Sequence, residues 1–286
     1  MTKSAIGNFD TSSIEKTQLR FLTCGSVDDG KSTLIGRILF ESQSIMEDQV
    51  LQSKLESDRY GTQGKNLDLA LLVDGLQAER EQGITIDIAY RFFETKIRKF
   101  IAVDSPGHEQ YTRNMVTGAS NVDLAIILVD AKKGISKQTR RHSTIVSLLG
   151  IRNIILAVNK MDLVNYSEEK FSAIKTEFLI YTQKLNKLNC IAIPISALNG
   201  DGVTTLSSRM RWYSGPTVLK HLETVNVFSE MYRKPARFPV QWVNRPNSDF
   251  RGFSGLLHSG SMSIGDTVTV FPSCQQNTIS KIIDPT

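Results

Sequence analysis

The stretch Gly25-Ser-Val-Asp-Asp-Gly30-Lys31-Ser32 decides the fold that we predict for this chain. It follows Phe21-Leu22-Thr23-Cys24, an apolar run typical of a strand, and it precedes a segment with helical spacing of apolar residues up to about Phe40. A G-x-x-x-x-G-K-[ST] sequence in this context indicates a phosphate-binding loop. Its glycines let backbone N–H groups face an anion, and the helix N-terminus adds favourable partial charge. The alternative is a glycine turn that caps an ordinary helix.

Each residue of this loop is a candidate nucleotide contact. Lys31 is expected to reach the β- and γ-phosphates, and the Ser32 hydroxyl is expected to ligate Mg²⁺. Asp28 and Asp29 are unusual in such a loop, because carboxylates and phosphates repel each other, and the sequence suggests no role for them. The predicted nucleotide-binding residues of the loop are Gly25, Ser26, Val27, Asp28, Asp29, Gly30, Lys31, Ser32 and Thr33.

Two later segments, Gly83-Ile84-Thr85 and Asp104-Ser-Pro-Gly107-His108, complete the predicted phosphate and metal site. A mobile loop can lend the Thr85 hydroxyl to Mg²⁺ only while the γ-phosphate is present, which makes it a switch. Taken alone, Thr85 is better explained as a β-branched residue at the start of a strand, and only the other motifs favour a role in binding metal. Asp104 ends an apolar strand, where it can hold Mg²⁺ through water.

The same segment supplies the predicted catalytic histidine. Gly107 offers a backbone N–H to the γ-phosphate with no side chain in the way. His108 directly follows and can orient the attacking water, a role that glutamine has in some GTPases. We therefore predict His108 and Lys31 as the catalytic residues. The alternative for His108 is a surface polar residue near a turn.

Asn159-Lys160-Met161-Asp162 and Ser196-Ala197-Leu198 are predicted to bind the base. An Asp162 carboxylate can accept two hydrogen bonds, from guanine N1–H and from the exocyclic amine, and adenine offers neither at those positions. The Lys160 stem can lie along the base, and the Ala197 N–H can bind the guanine oxygen. The predicted ligands are therefore GTP and Mg²⁺. The predicted base-side residues are Asn159, Lys160, Asp162, Ser196, Ala197 and Leu198.

Apolar runs such as Leu124–Val129 and Ile154–Val158 alternate with helical patterns such as Gln138–Leu149 and Ser167–Leu185. Uniformly apolar strands between helices predict an α/β fold, a mostly parallel sheet with helices on both faces. Such sheets bind ligands at the carboxyl ends of their strands.

From about Arg237 the pattern changes to short strands separated by turns. These strands predict the start of a small antiparallel β-barrel that is left incomplete at Thr286. We therefore expect a flexible N-terminal arm over residues 1–18, a nucleotide-binding domain over 19–230 and a partial β-barrel over 231–286. The incomplete barrel also suggests a truncated version of a longer protein.

The composition excludes several other classes of protein. The 286 residues carry a formal net charge of +5 and no block of like charges, so nucleic acid is not an expected partner. Three widely spaced cysteines argue against a disulfide framework or a zinc site and suit the cytoplasm. The first 18 residues lack the apolar run of a signal peptide, and no apolar stretch approaches the length of a membrane span.

Several segments resemble the translation-factor GTPases, and more closely the GTPase subunits of bacterial sulfate adenylyltransferases. The phosphate loop with Gly-Ser-Val-Asp-Asp-Gly-Lys-Ser-Thr is similar to that of these subunits, whereas elongation factor 1-alpha has histidines where this chain has Ser26 and Asp29. The resemblance extends from about Leu19 to the end of the chain. The other matching segments are Asp68–Gln77, Ala78–Asp87, Asp104–Asn114, Trp212–Pro216, Phe238–Pro246 and Asp249–Gly252.

This resemblance implies a role beyond GTP hydrolysis. In that family the GTPase subunit forms a heterodimer with the small catalytic subunit of sulfate adenylyltransferase, which makes adenylyl sulfate and pyrophosphate from ATP and sulfate. GTP hydrolysis drives this uphill reaction, and the sulfate chemistry belongs to the partner. The family continues through the rest of the barrel and a third β-rich domain. The alternatives are a carrier of aminoacyl-tRNA and a GTP-binding remnant that is not coupled to any partner.

Overall fold

The computed structural model describes residues 16–42, 69, 85, 87–185, 188–227 and 234–283. The predicted arm up to residue 15, Gly83-Ile84 and most of the two segments 68–77 and 78–87 lie outside the described residues. The chain divides into two compact units, Met1–Val225 and Asn226–Thr286. None of the helices in the described ranges is long and apolar enough to cross a membrane.

The first unit is built on a six-stranded sheet with the order β2-β3-β1-β4-β5-β6. Neighbouring strands are parallel except for the pair formed by β2 and β3, so the predicted mostly parallel sheet is confirmed. All seven residues of β4 are buried, as expected for a strand covered on both faces. The strands are β1 Thr17–Cys24, β2 Ala89–Glu94, β3 Arg98–Asp104, β4 Leu124–Asp130, β5 Asn153–Asn159 and β6 Asn189–Pro194.

Helices follow most of these strands, and some of them begin at a side-chain cap. The Ser136 and Ser167 hydroxyls accept hydrogen bonds from backbone N–H groups in the first turns of α3 and α4, where they stabilise otherwise unpaired donors. The helices are α1 Lys31–Glu41, α2 Thr112–Ala119, α3 Lys137–Leu148, α4 Glu168–Thr182 and α5 Val218–Thr224. Short 3₁₀ turns cover Glu109–Tyr111 and Met161–Val164.

Strand β1 begins at Thr17, inside the predicted arm. Thr17 lies opposite Arg98 of β3, and the Arg98 Nε donates to the Thr17 Oγ1 at 3.0 Å. The buried Arg98 guanidinium also donates to the carbonyls of Leu222 and Val225, both at 2.9 Å. One cation therefore fastens the start of β1 and the C-terminal end of α5 to β3.

The second unit contains two separate antiparallel pairs, β7–β8 and β9–β10. Its strands are β7 Val240–Asn244, β8 Gly252–Gly255, β9 Thr267–Val270 and β10 Gln275–Thr278. Strands β7 and β8 are adjacent in the chain and pair with each other. In the connection between them, the Asn247 Oδ1 accepts the N–H groups of Asp249 and Phe250, and this turn helps to reverse the chain so that Gly252 pairs with Asn244.

Candidate functional site

The predicted site segments meet at one edge of the sheet. Asp104, Asp130 and Asn159 are the last residues of β3, β4 and β5, and Gly25 and Ser196 come one or two residues after the ends of β1 and β6. Since these strands are parallel, their carboxyl ends lie at the same edge. The site is therefore assembled from residues at, or directly after, the ends of five strands of the sheet.

The loop between β1 and α1 has the shape that its glycines permit. Gly30 has φ +89° and forms the N-cap of α1, and a Cβ there would lie 2.4 Å from the Asn159 Nδ2. Asp28 also has positive φ, +66°, a conformation that Asp tolerates better than most residues, and its side chain is exposed. Val27 is half-buried in the loop, and Thr33 is half-buried in the first turn of α1.

Lys31 begins α1 and reaches back across the loop. Its Nζ donates to the Ser26 carbonyl at 2.8 Å, and the residue is 6% exposed. Burial lowers the pKa of Lys31, and the carboxylates of Asp104 and Asp29 oppose that shift. The ammonium therefore lies in a site where it has little competing hydration, which favours contact with an anion.

Asp29 faces the interior of the loop, which gives it a structural role that the sequence did not reveal. Its Oδ2 accepts the Ser26 N–H at 2.6 Å, and its carbonyl accepts from the Asn159 Nδ2 at 2.8 Å. Burial raises the pKa of Asp29 to about 6, although the Ser26 N–H and the charge of Lys31 oppose the shift. Asp29 thus closes the loop on itself at the expense of a partly desolvated carboxylate.

We expect Asp29→Asn to stabilise the fold at neutral pH. The pKa of Asp29 is raised in the folded state, so the native protein retains a proton that the unfolded chain loses above pH about 4, and stability falls as pH rises toward 6. Asparagine keeps the acceptor for the Ser26 N–H without this cost. The stability advantage of the variant should grow by about 2 kcal/mol between pH 4 and pH 7 in urea unfolding without nucleotide.

The matched control is Asp28→Asn, which changes the exposed neighbour. Because this side chain is exposed, the substitution should change the free energy of unfolding by less than about 0.5 kcal/mol. An Asp29→Asn advantage that does not change with pH would contradict the desolvation of this carboxylate.

The three predicted metal ligands come together. The Ser32 Oγ donates to the Asp104 Oδ2 at 2.6 Å and lies 3.3 Å from the Thr85 Oγ1. The other Asp104 oxygen, Oδ1, accepts from the Thr23 hydroxyl at 2.8 Å. Burial raises the pKa of Asp104, and the hydrogen bond from Ser32, the charge of Lys31 and the hydrogen bond from Thr23 oppose this. The donors are all oxygen atoms, which suits a hard cation such as Mg²⁺.

Gly107 lies directly against the phosphate loop. A Cβ on Gly107 would be 2.4 Å from the Lys31 Nζ and 2.9 Å from backbone atoms of Ser26 and Val27. Contacts this short cannot be relieved, because two of the three atoms belong to the backbone. Glycine at this position is therefore required for the loop after β3 to approach the loop after β1.

His108 is exposed at the start of the 3₁₀ turn that follows. Its Nδ1 accepts the Gln110 N–H at 3.3 Å, and its ring lies 6.1 Å from that of Tyr111. A neutral imidazole that accepts at Nδ1 carries its proton on Nε2. No hydrogen bond joins His108 to Lys31 among the described residues, so the structure places the predicted catalytic pair on neighbouring loops without direct contact.

The Asn159 side chain connects the phosphate loop with both base segments. Its Nδ2 donates to the Asp29 carbonyl at 2.8 Å, and its Oδ1 accepts from the N–H groups of Lys160 at 2.8 Å and Ala197 at 2.9 Å. Asn159 is 2% exposed. A buried amide with all these partners holds three backbone segments in fixed relation.

Two further contacts fix the base segments. The Ser196 Oγ donates to the Asp162 Oδ1 at 2.6 Å, which aligns the predicted base-reading carboxylate. From α1, the Arg37 guanidinium donates to the carbonyls of Ala197 and Leu198. The helix that begins at the phosphate loop is thus attached directly to the segment 196–198.

Asp130 is a site residue that the sequence analysis did not select. Its Oδ2 lies 3.1 Å from the Lys160 Nζ, and Lys160 itself has φ +60°. Burial alone would raise the pKa of Asp130, but hydrogen bonds from the Lys132 N–H and from Lys160 hold it below its usual value. A polar residue directly after a uniformly apolar strand is the signal that identified Asp104 and Asn159, and it applies equally to Asp130.

His142 of α3 is the second residue that was missed. The Gly25 N–H donates to the His142 Nδ1 at 3.1 Å, and the His142 Nε2 lies 2.8 Å from the Gln138 side-chain amide. Burial lowers the pKa of His142 to about 4, with Lys31 and Arg141 adding to the shift. The polar residues Thr139, His142 and Ser143 recur at helical spacing and are all buried in α3. This polar stripe is the sequence signal that could have identified His142.

Comparison with known proteins supports a nucleotide-binding assignment for the first unit. Residues 16–222 match the family model described as the elongation factor Tu GTP binding domain. The chain is also 59% identical, over 269 residues and 94% of its length, to sulfate adenylyltransferase subunit 1 from Salmonella arizonae and to that from Salmonella typhi. It covers 56% of each of those proteins, so it spans about half the length of the curated relatives it matches.

A solved structure with a similar fold is the GTPase-like domain of Ski7 from S. cerevisiae bound to GTP. The TM-score is 0.63, and the match covers 88% of this chain and 60% of that one. The sequence identity is 20%, so this likeness supports the fold alone.

Proposed function

The chain belongs to the family of the elongation factor Tu GTP-binding domain, and from this premise we propose that it is the GTP-hydrolysing subunit of a sulfate adenylyltransferase. The single observation that carries the wider role is the 59% identity to sulfate adenylyltransferase subunit 1 over 94% of this chain. The geometry of the strand ends supports the GTP part of the proposal, and the identity supports the sulfate part.

In the proposed complex with GTP, the phosphates lie over the loop from Gly25 to Ser32. The buried Lys31 ammonium stabilises the negative charge that develops as the bond between the γ-phosphate and the β-phosphate breaks. Asp162, aligned by Ser196, accepts the guanine N–H groups. The Ala197 N–H, expected from the sequence to bind the guanine oxygen, donates to the Asn159 Oδ1 in this structure, so it would have to share or leave that acceptor to make the contact. Because Asn159 joins both halves, phosphate and base contacts form on one prearranged frame.

We propose that Mg²⁺ is held by the hydroxyls of Ser32 and Thr85, with Asp104 acting through water. The short distances among these oxygen atoms fit that set of donors. When bound, Mg²⁺ would neutralise charge on the β- and γ-phosphates.

The tautomer of His108, with its proton on Nε2, allows this residue to position a water molecule. With Nδ1 engaged by the Gln110 N–H, the Nε2–H is the free polar atom of the ring, and it can donate to the oxygen of an attacking water. Gly107 lies directly against Lys31, since a Cβ there would be 2.4 Å from the Lys31 Nζ, and His108 is the next residue of the same loop. We propose that His108 turns toward the γ-phosphate when GTP is bound. We propose that this loop and Thr85 move when the γ-phosphate is lost.

The sulfate chemistry is assigned to a partner. A small catalytic subunit would form adenylyl sulfate and pyrophosphate from ATP and sulfate, in a heterodimer with this chain and in the cytoplasm. The formation of that anhydride is uphill, so a coupled exergonic step is required, and GTP hydrolysis supplies one. No sulfate-binding residue is assigned to this chain.

The test is GTP hydrolysis by this chain, alone and with the small subunit, ATP and sulfate, with adenylyl sulfate measured in the same reaction. We expect the partner and its substrates to stimulate GTP hydrolysis, and adenylyl sulfate to accumulate in step with GTP loss. GTP binding with no stimulation would contradict the coupled role and leave an isolated GTP switch. Absence of GTP binding would overturn the whole proposal.

A further inference from the structure

The phosphate loop is braced from behind by helix α3. Two side chains of this region contact the first two residues of the loop: the His142 Nδ1 accepts the Gly25 N–H at 3.1 Å, and the Ser136 Oγ lies 2.8 Å from the Ser26 Oγ. Ser136 is also the N-cap of α3, within a capping box that includes Thr139. The start of the loop is thus connected to a helix end that is itself well ordered by its cap.

The contact at His142 constrains the protonation state of the ring. An N–H donor at Gly25 requires that the His142 Nδ1 carry no proton, so the neutral ring must carry it on Nε2. That Nε2 faces the Gln138 amide at 2.8 Å. The Gly25 backbone N–H can only donate, whereas the oxygen and nitrogen of the Gln138 side-chain amide can be interchanged by rotation of the amide. We therefore assign the Gln138 oxygen as the acceptor of the His142 Nε2–H. With the amide in this orientation, the 3.4 Å hydrogen bond from Arg141 to the Gln138 Oε1 is lost.

Protonation of His142 would remove the acceptor for Gly25. The ring is 1% exposed, and the positively charged groups that act on it are Lys31 in α1 and Arg141 in α3. Both disfavour an imidazolium, as does burial. The surroundings therefore keep His142 as an uncharged acceptor, and this state suits a loop that must orient N–H groups toward phosphates.

The backbone of Gly25 is closely packed. Its φ is +154°, and a Cβ there would lie 2.8 Å from the Leu128 carbonyl, so the backbone is pressed against β4. A buried backbone N–H without a partner is destabilising, so loss of the His142 acceptor would favour movement of Gly25 away from this position. Any such movement displaces Ser26, whose carbonyl holds the Lys31 Nζ.

We propose that His142 is a positioning residue for nucleotide phosphates: the neutral imidazole, oriented by Gln138, fixes Gly25 and thereby sets the geometry of the phosphate loop. This inference rests on the proposed function only in requiring that the loop bind a guanine nucleotide. It adds a residue outside every segment that contacts the nucleotide in that proposal.

The test compares His142→Leu with His142→Asn in the full chain. Leucine fills a similar volume and offers no acceptor, whereas asparagine can place its amide oxygen near the position of the imidazole Nδ1. We expect His142→Leu to weaken binding of a fluorescent GDP analogue about tenfold or more, mainly through faster dissociation, and His142→Asn to stay within about threefold of the unmodified chain. Melting temperatures identify variants that fail to fold.

Two further variants sharpen the result. His221→Leu removes a half-buried histidine of α5 that is not part of the site, and it should leave GDP affinity unchanged. Gln138→Glu places a carboxylate beside the His142 Nε2, favours the imidazolium and should make GDP affinity fall more steeply as pH is lowered from 8 to 6.

Equal GDP affinity in His142→Leu and the unmodified chain would overturn the inference, as would failure of His142→Asn to restore binding while its melting temperature is normal. If the unmodified chain does not bind GDP, the proposed function fails instead, so the two failures are distinguishable.

Discussion

Replacement of His108 by alanine should lower the rate constant for GTP hydrolysis by about 10²- to 10⁴-fold, the range typical for loss of a group that positions or exchanges a proton in the transition state. GTP affinity should change by less than about threefold, because the exposed ring contacts Gln110 and Tyr111 and not the phosphate loop. Single-turnover hydrolysis and titration with a non-hydrolysable GTP analogue measure the two effects separately.

His108→Gln is the matched variant for this prediction. A glutamine amide can donate to water as the imidazole Nε2–H does, so it should recover part of the lost rate. Glu109→Gln is the control, since it changes the next residue along the chain and only weakens an exposed pair with Arg141. Parallel loss of binding and hydrolysis in His108→Ala would refute the assigned role, because it would indicate a collapsed loop and not a missing catalytic group.

Asp162→Asn is expected to change which base the protein selects. The carboxylate can accept from two guanine N–H groups, and hydrogen bonds to charged acceptors are worth about 1.5–3 kcal/mol each, so GTP affinity should fall by about 10²-fold or more. Xanthine has a carbonyl where guanine has its amine, and an asparagine N–H can donate to that oxygen. Competition of GTP and XTP against a fluorescent nucleotide measures the change in preference from guanine to xanthine.

The control for this prediction is Asp201→Asn in the neighbouring loop. The Asp201 Oδ2 accepts from the Tyr166 hydroxyl at 2.7 Å, a contact that an asparagine oxygen can keep. This variant should retain its preference for GTP. If Asp162→Asn also retains that preference, Asp162 does not read the base, and the aligning hydrogen bond from Ser196 has a structural purpose alone.

The sequence predicted the parts of the site that lie at strand ends. Asp104 and Asn159 follow apolar strands, and parallel strands present their ends to one edge, so chain order alone was enough to place them together. The fold class is confirmed by the observed sheet. The functional roles of these residues stay predictions, although the structure brings their side chains within hydrogen-bonding distance of one another.

The parts that the sequence could not supply depend on long-range contacts. His142 contacts Gly25 across 117 positions of sequence, and no local pattern reports which loop a buried histidine faces. Asp29 appeared unfavourable beside phosphates because a sequence does not show that its carboxylate turns inward to the Ser26 N–H. Strand β10, with the polar residues Gln275–Thr278, lacks the apolar alternation on which strand prediction relies.

The shared amide of Asn159 has a consequence for how a nucleotide is released. Asp29 on the phosphate side and Ala197 on the base side are fastened to the same side chain, so displacement of either one perturbs the other. In the proposed complex, the phosphate and base contacts of the nucleotide would therefore be coupled, and by reciprocity each would strengthen the other by the same factor. A nucleotide held in this way dissociates as one unit, and a factor that loosens one end would speed the departure of both.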